Sequence, residues 1–249
     1  MGTVLTQKPT KAANRQKRPS RYTFRIDDGA ELLDFARRQK VPDHDRPKRR
    51  QREERWTLAH YFLALEAAGR LTLPIRAAHA LGNQAPDFLI GSNNHLTEGI
   101  EITHATTRKH ENKLQSLERS KKARPARGFD LNDGKGWTGH QRETYWCFRV
   151  LKAARSKLAK LGKGHYEKAR VQHLVIYDSM GVMGVNLPEA VKRVKPKMVK
   201  ALSAASVRFS TVSVVSDSGY VLYDLAGACE SLLIPYLPTS QADIAHPSP

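Results

Sequence analysis

"APDFLIGSNNHLTEGIEITHATTRKH", residues 85–110, contains two short apolar runs separated by the turn-like Ser92-Asn93-Asn94. Each run carries one acid, Asp87 in the first and Glu101 in the second. Pairing the runs as an antiparallel hairpin with Phe88 opposite Ile100 and Ile90 opposite Glu98 also sets Asp87 opposite Glu101. Side chains alternate faces along a strand. One face then holds Phe88, Ile90, Ile100 and Ile102, and the other holds Asp87, Gly99, Glu101 and Thr103. A slip of one residue would mix the two sets, so burial selects this register. Directly opposed Cβ atoms lie roughly 4.5–5.5 Å apart, where like charges repel. A cation between the acids would relieve that repulsion, and hard oxygen ligands suit Mg²⁺ or Mn²⁺. The competing reading is an exposed hairpin whose acids face water or meet an arginine.

The rest of the composition agrees with an anionic partner. The chain has 249 residues, with 42 Lys plus Arg against 24 Asp plus Glu, a formal charge of +18. An excess of that size concentrates polyanions, nucleic acid first and an anionic membrane surface second. Between Arg108 and Arg170 stand 18 basic against six acidic residues, flanking the hairpin in sequence. Phosphate neutralisation by such a surface gives salt-sensitive, sequence-independent affinity. Arg49, Arg50, Lys121, Lys122, Arg124 and Arg127 are the candidate phosphate contacts, and Trp56, Trp137 and Trp146 are candidates for base stacking. No run approaches 18 apolar residues, so no membrane span is expected. The N-terminal segment has no apolar core of a secretory signal. Cys147 and Cys229 are too few and too far apart for a disulfide framework or a zinc knuckle, which suits a reduced, cytoplasmic setting.

Moving outward from the hairpin, residues 1–22 read as a disordered basic arm, 23–238 as one domain and 239–249 as a frayed tail. A short helix is expected around 30–39. An amphipathic helix follows to about Arg70, with Leu58, Phe62, Leu65 and Ala68 at helical spacing. "LTLPIRAAHAL" reads as a strand placed at a sheet edge by Pro74. Residues 108–139 read as a helix and a glycine-punctuated loop, and 139–162 as a long helix. "VQHLVIYD" is a buried strand. "LPEAVKRVKPKMVKALSAA" is a helix that Pro196 should kink or interrupt. "FSTVSVVS" and "GYVLYDL" are strands joined at Asp217-Ser218-Gly219. Mixed order of this kind implies an α/β fold, a mixed central sheet flanked by helices.

Pro86-Asp87, the following Glu101-x-Thr103 and the order helix, three strands, helix, strand resemble the PD-(D/E)xK nuclease superfamily. The resemblance covers roughly residues 50–180. It implies a restriction-endonuclease-like αβββαβ core, here with a C-terminal helix-strand-strand extension, and metal-dependent hydrolysis of DNA phosphodiesters. RNA is not excluded, and a homodimer or a larger nucleoprotein complex is compatible with it. Asp87 and Glu101 would be the metal-binding carboxylates, with the Ile102 carbonyl as a third ligand. The slot that the family fills with lysine holds Thr103. A non-catalytic nucleic-acid-binding module on the same scaffold is the alternative that Thr103 favours.

The family often adds an acid from its first helix, and Glu66 and Glu54 are the candidates; the plainer reading of either is a surface acid paired with arginine. Gln141 and Tyr145 resemble a Q-x-x-x-Y pattern carried by some of its nucleases. The long helix offers a substitute lysine. Cys147, Val150, Ala154, Leu158 and Leu161 make its apolar stripe. Lys157 falls on that inward face, with Glu143 on nearly the same face about four turns earlier. Lys157 could lay its stem along the stripe and reach the acid pair, or snorkel to the surface. His104 should face away from Glu101. No nucleotide-binding loop, nucleophile elbow or Cys/His metal spacing is present.

Overall fold

The computed structural model describes residues 23–39, 49–80, 86–92, 95–106, 137–164, 166, 171–178, 185–206, 208–216, 220–225 and 232–235. In chain order the elements are β1 (Thr23–Ile26), α1 (Gly29–Arg38), α2 (Arg49–Ala67), β2 (Ile75–His79), β3 (Phe88–Gly91), β4 (Glu98–His104), α3 (Gln141–Gly162), β5 (Val171–Asp178), α4 (Leu187–Ser203), β6 (Thr211–Ser216), β7 (Tyr220–Tyr223) and β8 (Leu232–Pro235). The fold is mixed α/β. Its eight described strands form one sheet in the order β1 to β8, and the four described helices flank it. β4, β5 and β6 run parallel, whereas the remaining neighbours pair antiparallel.

The register of β3 on β4 is the one expected from burial: Phe88 opposes Ile100, Leu89 opposes Gly99 and Ile90 opposes Glu98. Phe88, Ile90, Ile100 and Ile102 join α1 and α2 in one core cluster. Trp146, Val150, Ala154 and Leu158 of α3 join Ala190, Val194 and Met198 of α4 and Leu174 and Ile176 of β5 in the other. Glu101 stands opposite Leu174 and Thr103 opposite Ile176, so both lie on the α3 face of the sheet. The sheet is therefore apolar on both sides. That is why β5 and β6 read as near-continuous apolar runs rather than alternating ones.

Several expectations need correction. β2 is an interior strand between β1 and β3, because Pro74 precedes it and costs it no ladder bond. α2 is more than amphipathic: every residue from Trp56 to Phe62 is buried, since α1 covers the side that the sheet leaves open. α4 runs through Pro196 without interruption, with that proline on its exposed side. β1 and β8 are additional; four-residue strands at the two edges carry little periodicity to read. The C-terminal extension is thus helix-strand-strand-strand. The basic arm, the helix and loop within 108–136, Asp217-Ser218-Gly219 and the C-terminal tail lie outside the described residues.

α3 positions the site. Asn186 opens α4, its side chain accepting from the Glu189 amide at 3.2 Å. The buried Glu143 carboxylate accepts from the Asn186 amide at 2.8 Å, so the start of α3 is fastened to the start of α4. Cys147 Sγ donates to the Ala190 carbonyl at 3.1 Å, and the buried Trp146 indole donates to Asp178 of β5 at 2.8 Å. Full burial of side chains such as Trp146, Val150 and Leu158 contributes about 1.5–3 kcal/mol each. Together these contacts fix the rotation of α3 over β4 and β5.

Candidate active site

Asp87 immediately precedes β3 and Glu101 is the fourth residue of β4. Lys157 reaches them from α3. Its Nζ pairs with Glu101 Oε1, and both residues are buried, at 8 % and 4 % exposure. Seven residues after Val150 and three after Ala154, the lysine is carried on the packed side of the helix, as the stripe requires. Asp87 Oδ2 accepts from the Ile102 amide at 2.7 Å, which locks the first acid to the strand bearing the second. Glu101 Oε2 is buried without a hydrogen-bond partner.

α2 and β2 add a second group of charges. Arg50 Nε donates to Glu54 Oε1 at 2.8 Å, while its Nη2 stands 3.9 Å from Asp87 Oδ1. His79 Nε2 lies 3.2 Å from Glu54 Oε2. Burial works to raise the Glu54 carboxyl, but the His79 and Arg50 hydrogen bonds outweigh it and hold its pKa below the usual value. The hydrogen bond to Glu54 raises His79 and Arg50 in turn. Asp87 fares differently. Burial first, then the charges of Glu101 and Glu54, push its carboxyl up to about 7. The buried Tyr166 phenol completes the surround, its pKa driven up by burial and by the neighbouring Glu101 charge.

Of the sequence candidates, Asp87, Glu101 and Lys157 come together. Thr103 shares their face one pleat further along β4. The Ile102 amide serves Asp87, and the Ile102 side chain is buried on the opposite face. Two acids do not come to the site. Glu66 is exposed on the last turn of α2, near Gly29. Glu143 lies 14 residues before Lys157, about 21 Å along the helix axis, and is committed to α4. Glu54 is the acid that α2 supplies. Arg50 faces the acids, Arg49 opens α2, and Lys121, Lys122, Arg124 and Arg127 lie outside the described residues.

Trp56 and Trp146 are core residues, Trp56 stacked on His60 at 4.1 Å, so neither is free to stack on bases. Trp137 is half-buried over Tyr145, with ring centroids 5.7 Å apart. His104 points away from Glu101 and packs edge-on to Tyr177. Sequence reasoning missed Tyr166 and His79. Each reaches the site from a separate segment, so no local spacing marks either one.

A divalent cation fits part of this arrangement. Glu101 Oε2 is a buried oxygen without a partner, and Asp87 is an acid crowded by two others. Among the described residues no group of three or more His, Cys, Asp and Glu side chains is arranged to hold a metal ion. The implied set is smaller, two carboxylates with the Ile102 carbonyl. No helix among the described residues is long and apolar enough to cross a membrane. Compared with known proteins, the chain matches no family model, no curated sequence and no solved structure.

Proposed function

We propose that this protein is a metal-dependent nuclease of the PD-(D/E)xK type, hydrolysing DNA phosphodiester bonds. The observation that carries the reading is the pairing of Lys157 with Glu101 beside Asp87. Two carboxylates and a lysine meet on one face of the sheet although the usual lysine slot holds Thr103. The element order from α2 to β5, one helix, three strands, one helix and one strand, supports a restriction-endonuclease-like core.

Asp87 and Glu101 would hold Mg²⁺ or Mn²⁺, with the Ile102 carbonyl as the backbone ligand. When bound, the ion polarises the scissile phosphate and lowers the pKa of the attacking water. The chain's own residues do the rest. The Ile102 amide orients Asp87, and Arg50 and His79 hold Glu54 ionised behind it. Lys157 would present its ammonium to the negative charge that develops on the phosphoryl oxygens. Tyr166 and the packed strands exclude water from the back of the site.

A binding module without catalysis is the second reading. Thr103 favours it, as does the fact that Lys157 already neutralises Glu101. Incubation of plasmid and single-stranded DNA with Mg²⁺ or Mn²⁺, beside Glu101→Ala, separates the two. Cleavage that disappears in the variant supports the nuclease. Equal cleavage by both proteins defeats the site, and binding without cleavage by wild type leaves the module.

A further inference from the structure

Arg149 of α3 is 8 % exposed, and its Nε is buried without a partner. Among the described residues no carboxylate is paired with it. Burial lowers its pKa, and only the neighbouring Tyr145 acts in the other direction. Withdrawing part of a guanidinium from water without a counter-charge beside it is costly. Arg142, two turns earlier, likewise has a buried Nε without a partner.

The positions of these two arginines on α3 are informative. Seven residues at 3.6 per turn bring Arg142 and Arg149 within about 20° of each other on the helix. Cys147, which contacts α4, lies about 160° away, so the arginine stripe points away from that neighbour. Lys157, eight residues beyond Arg149, is turned only about 80° from it, toward the carboxylates. Tyr145, with Trp137 over it, sits on the same stripe between the arginines. The stripe therefore runs along the side of α3 turned away from the Cys147 contact with α4, and Lys157, which pairs with Glu101, lies beyond its C-terminal end. Arg142 and Arg149 are about 10.5 Å apart along the axis, and Lys157 about 12 Å further. Each interval spans roughly three steps of a nucleic-acid strand at 3.4 Å per step.

We infer that Arg149, with Arg142, is a phosphodiester-binding strip that seats the DNA backbone beside the Glu101–Lys157 site. The inference rests on the nuclease reading for its ligand and adds residues that reading does not use. The guanidinium fork suits two phosphate oxygens at once, and the bound phosphate replaces the missing counter-charge. Tyr145 and Trp137 offer ring faces beside the strip.

The test is binding of fluorescent duplex and single-stranded DNA in EDTA, across a salt series, together with thermal melting. Arg149→Met keeps an unbranched apolar stem and removes the charge. Its melting temperature should equal or exceed that of wild type, because a charge partly withdrawn from water is gone. Its DNA affinity should fall about tenfold, roughly the loss of one charged hydrogen-bonded contact. The log–log salt slope should drop by about 0.9 on duplex or about 0.7 on single strands. Arg149→Lys should keep most of the slope and recover part of the affinity. Unchanged affinity and slope in Arg149→Met overturn the strip, and so does a lowered melting temperature, which marks a structural arginine. The two readings fail separately. Binding that follows Arg149 without any cleavage removes the nuclease and keeps the strip, whereas cleavage with a salt slope indifferent to Arg149 does the reverse.

Discussion

Lys157 of α3 and Glu101 of β4 form a buried ion pair across 56 residues of sequence, with Glu101 Oε1 taken and Oε2 left without a partner. The geometry changes what truncating the lysine should do. A lysine at the surface could be removed at little cost, but this one is the cation that the described residues pair with the buried Glu101 carboxylate. Lys157→Ala should abolish cleavage and also destabilise the fold by about 3–5 kcal/mol, the usual cost of leaving a buried charge alone. Lys152 is exposed, its Nζ 6.0 Å from the Phe148 ring, and Lys152→Ala should keep activity and stability. Denaturant titration beside the cleavage assay checks both. A Lys157→Ala protein as stable as wild type would mean that the Lys157–Glu101 pair contributes nothing to folding.

Asp87 works against folding while it serves the site. Its carboxyl, pushed up to about 7 by burial and by Glu101 and Glu54, is an unfavourable charge at neutral pH in the metal-free protein. Asp87→Asn removes the charge and keeps an oxygen for the Ile102 amide. In EDTA at neutral pH the variant should therefore melt several degrees above wild type, while losing cleavage. Added Mg²⁺ should raise the melting temperature of wild type and leave Asp87→Asn nearly unmoved, as linkage requires of a ligand that needs this carboxylate. A melting temperature that falls in EDTA would show that the crowding is already relieved.

His60 sets an acid limit on stability. It is buried on α2, its Nδ1 2.8 Å from the Trp56 carbonyl, and burial holds its pKa at about 4 against an ordinary 6.5. A depressed imidazole contributes stability that is fully present above 6.5 and is lost as pH falls through 4, because the unfolded chain takes the proton first. The difference amounts to roughly 3 kcal/mol at the acid end. In His60→Leu the loss between pH 6.5 and 4 should be smaller by about that amount. Parallel pH profiles for the two proteins would show that His60 does not titrate differently on folding.

Legibility in the sequence followed the range of the physical signal. Phe88, Ile90, Ile100 and Ile102 fixed the β3–β4 register because alternation over two short strands admits one burial solution. Lys157 was legible because Val150, Ala154 and Leu158 define the inward side of α3 over several turns. Glu66 and Glu143 misled for the same reason. Both sit near an apolar stripe, yet a stripe gives rotation about the axis and says nothing of position along it. Glu66 is at the far end of α2, and Glu143 is claimed by Asn186. His79 and Tyr166 enter from separate segments, and Arg149 is notable only because no acid among the described residues pairs with it, which no sequence pattern displays.

Thr103 and Lys157 offer alternative origins for one ammonium. Thr103 is two residues beyond Glu101, so its side chain leaves the same face of β4 about 6.6 Å further along. A lysine there points into the space that Lys157 enters from α3, and its stem can lie against Ile176, which opposes Thr103. In a Lys157→Ala background, Thr103→Lys should therefore restore part of the cleavage and part of the lost stability, since it again gives Glu101 a buried partner. In the wild-type background the same change places two ammonium groups on one carboxylate pair. It should lower melting temperature modestly in EDTA and weaken the response to Mg²⁺, because the added positive charge competes with the ion. Cleavage rates and melting curves of the four proteins, the two single variants, the double variant and wild type, form a double-mutant cycle. Additive losses, with the double variant no better than Lys157→Ala, would place the Thr103 side chain out of reach of Glu101.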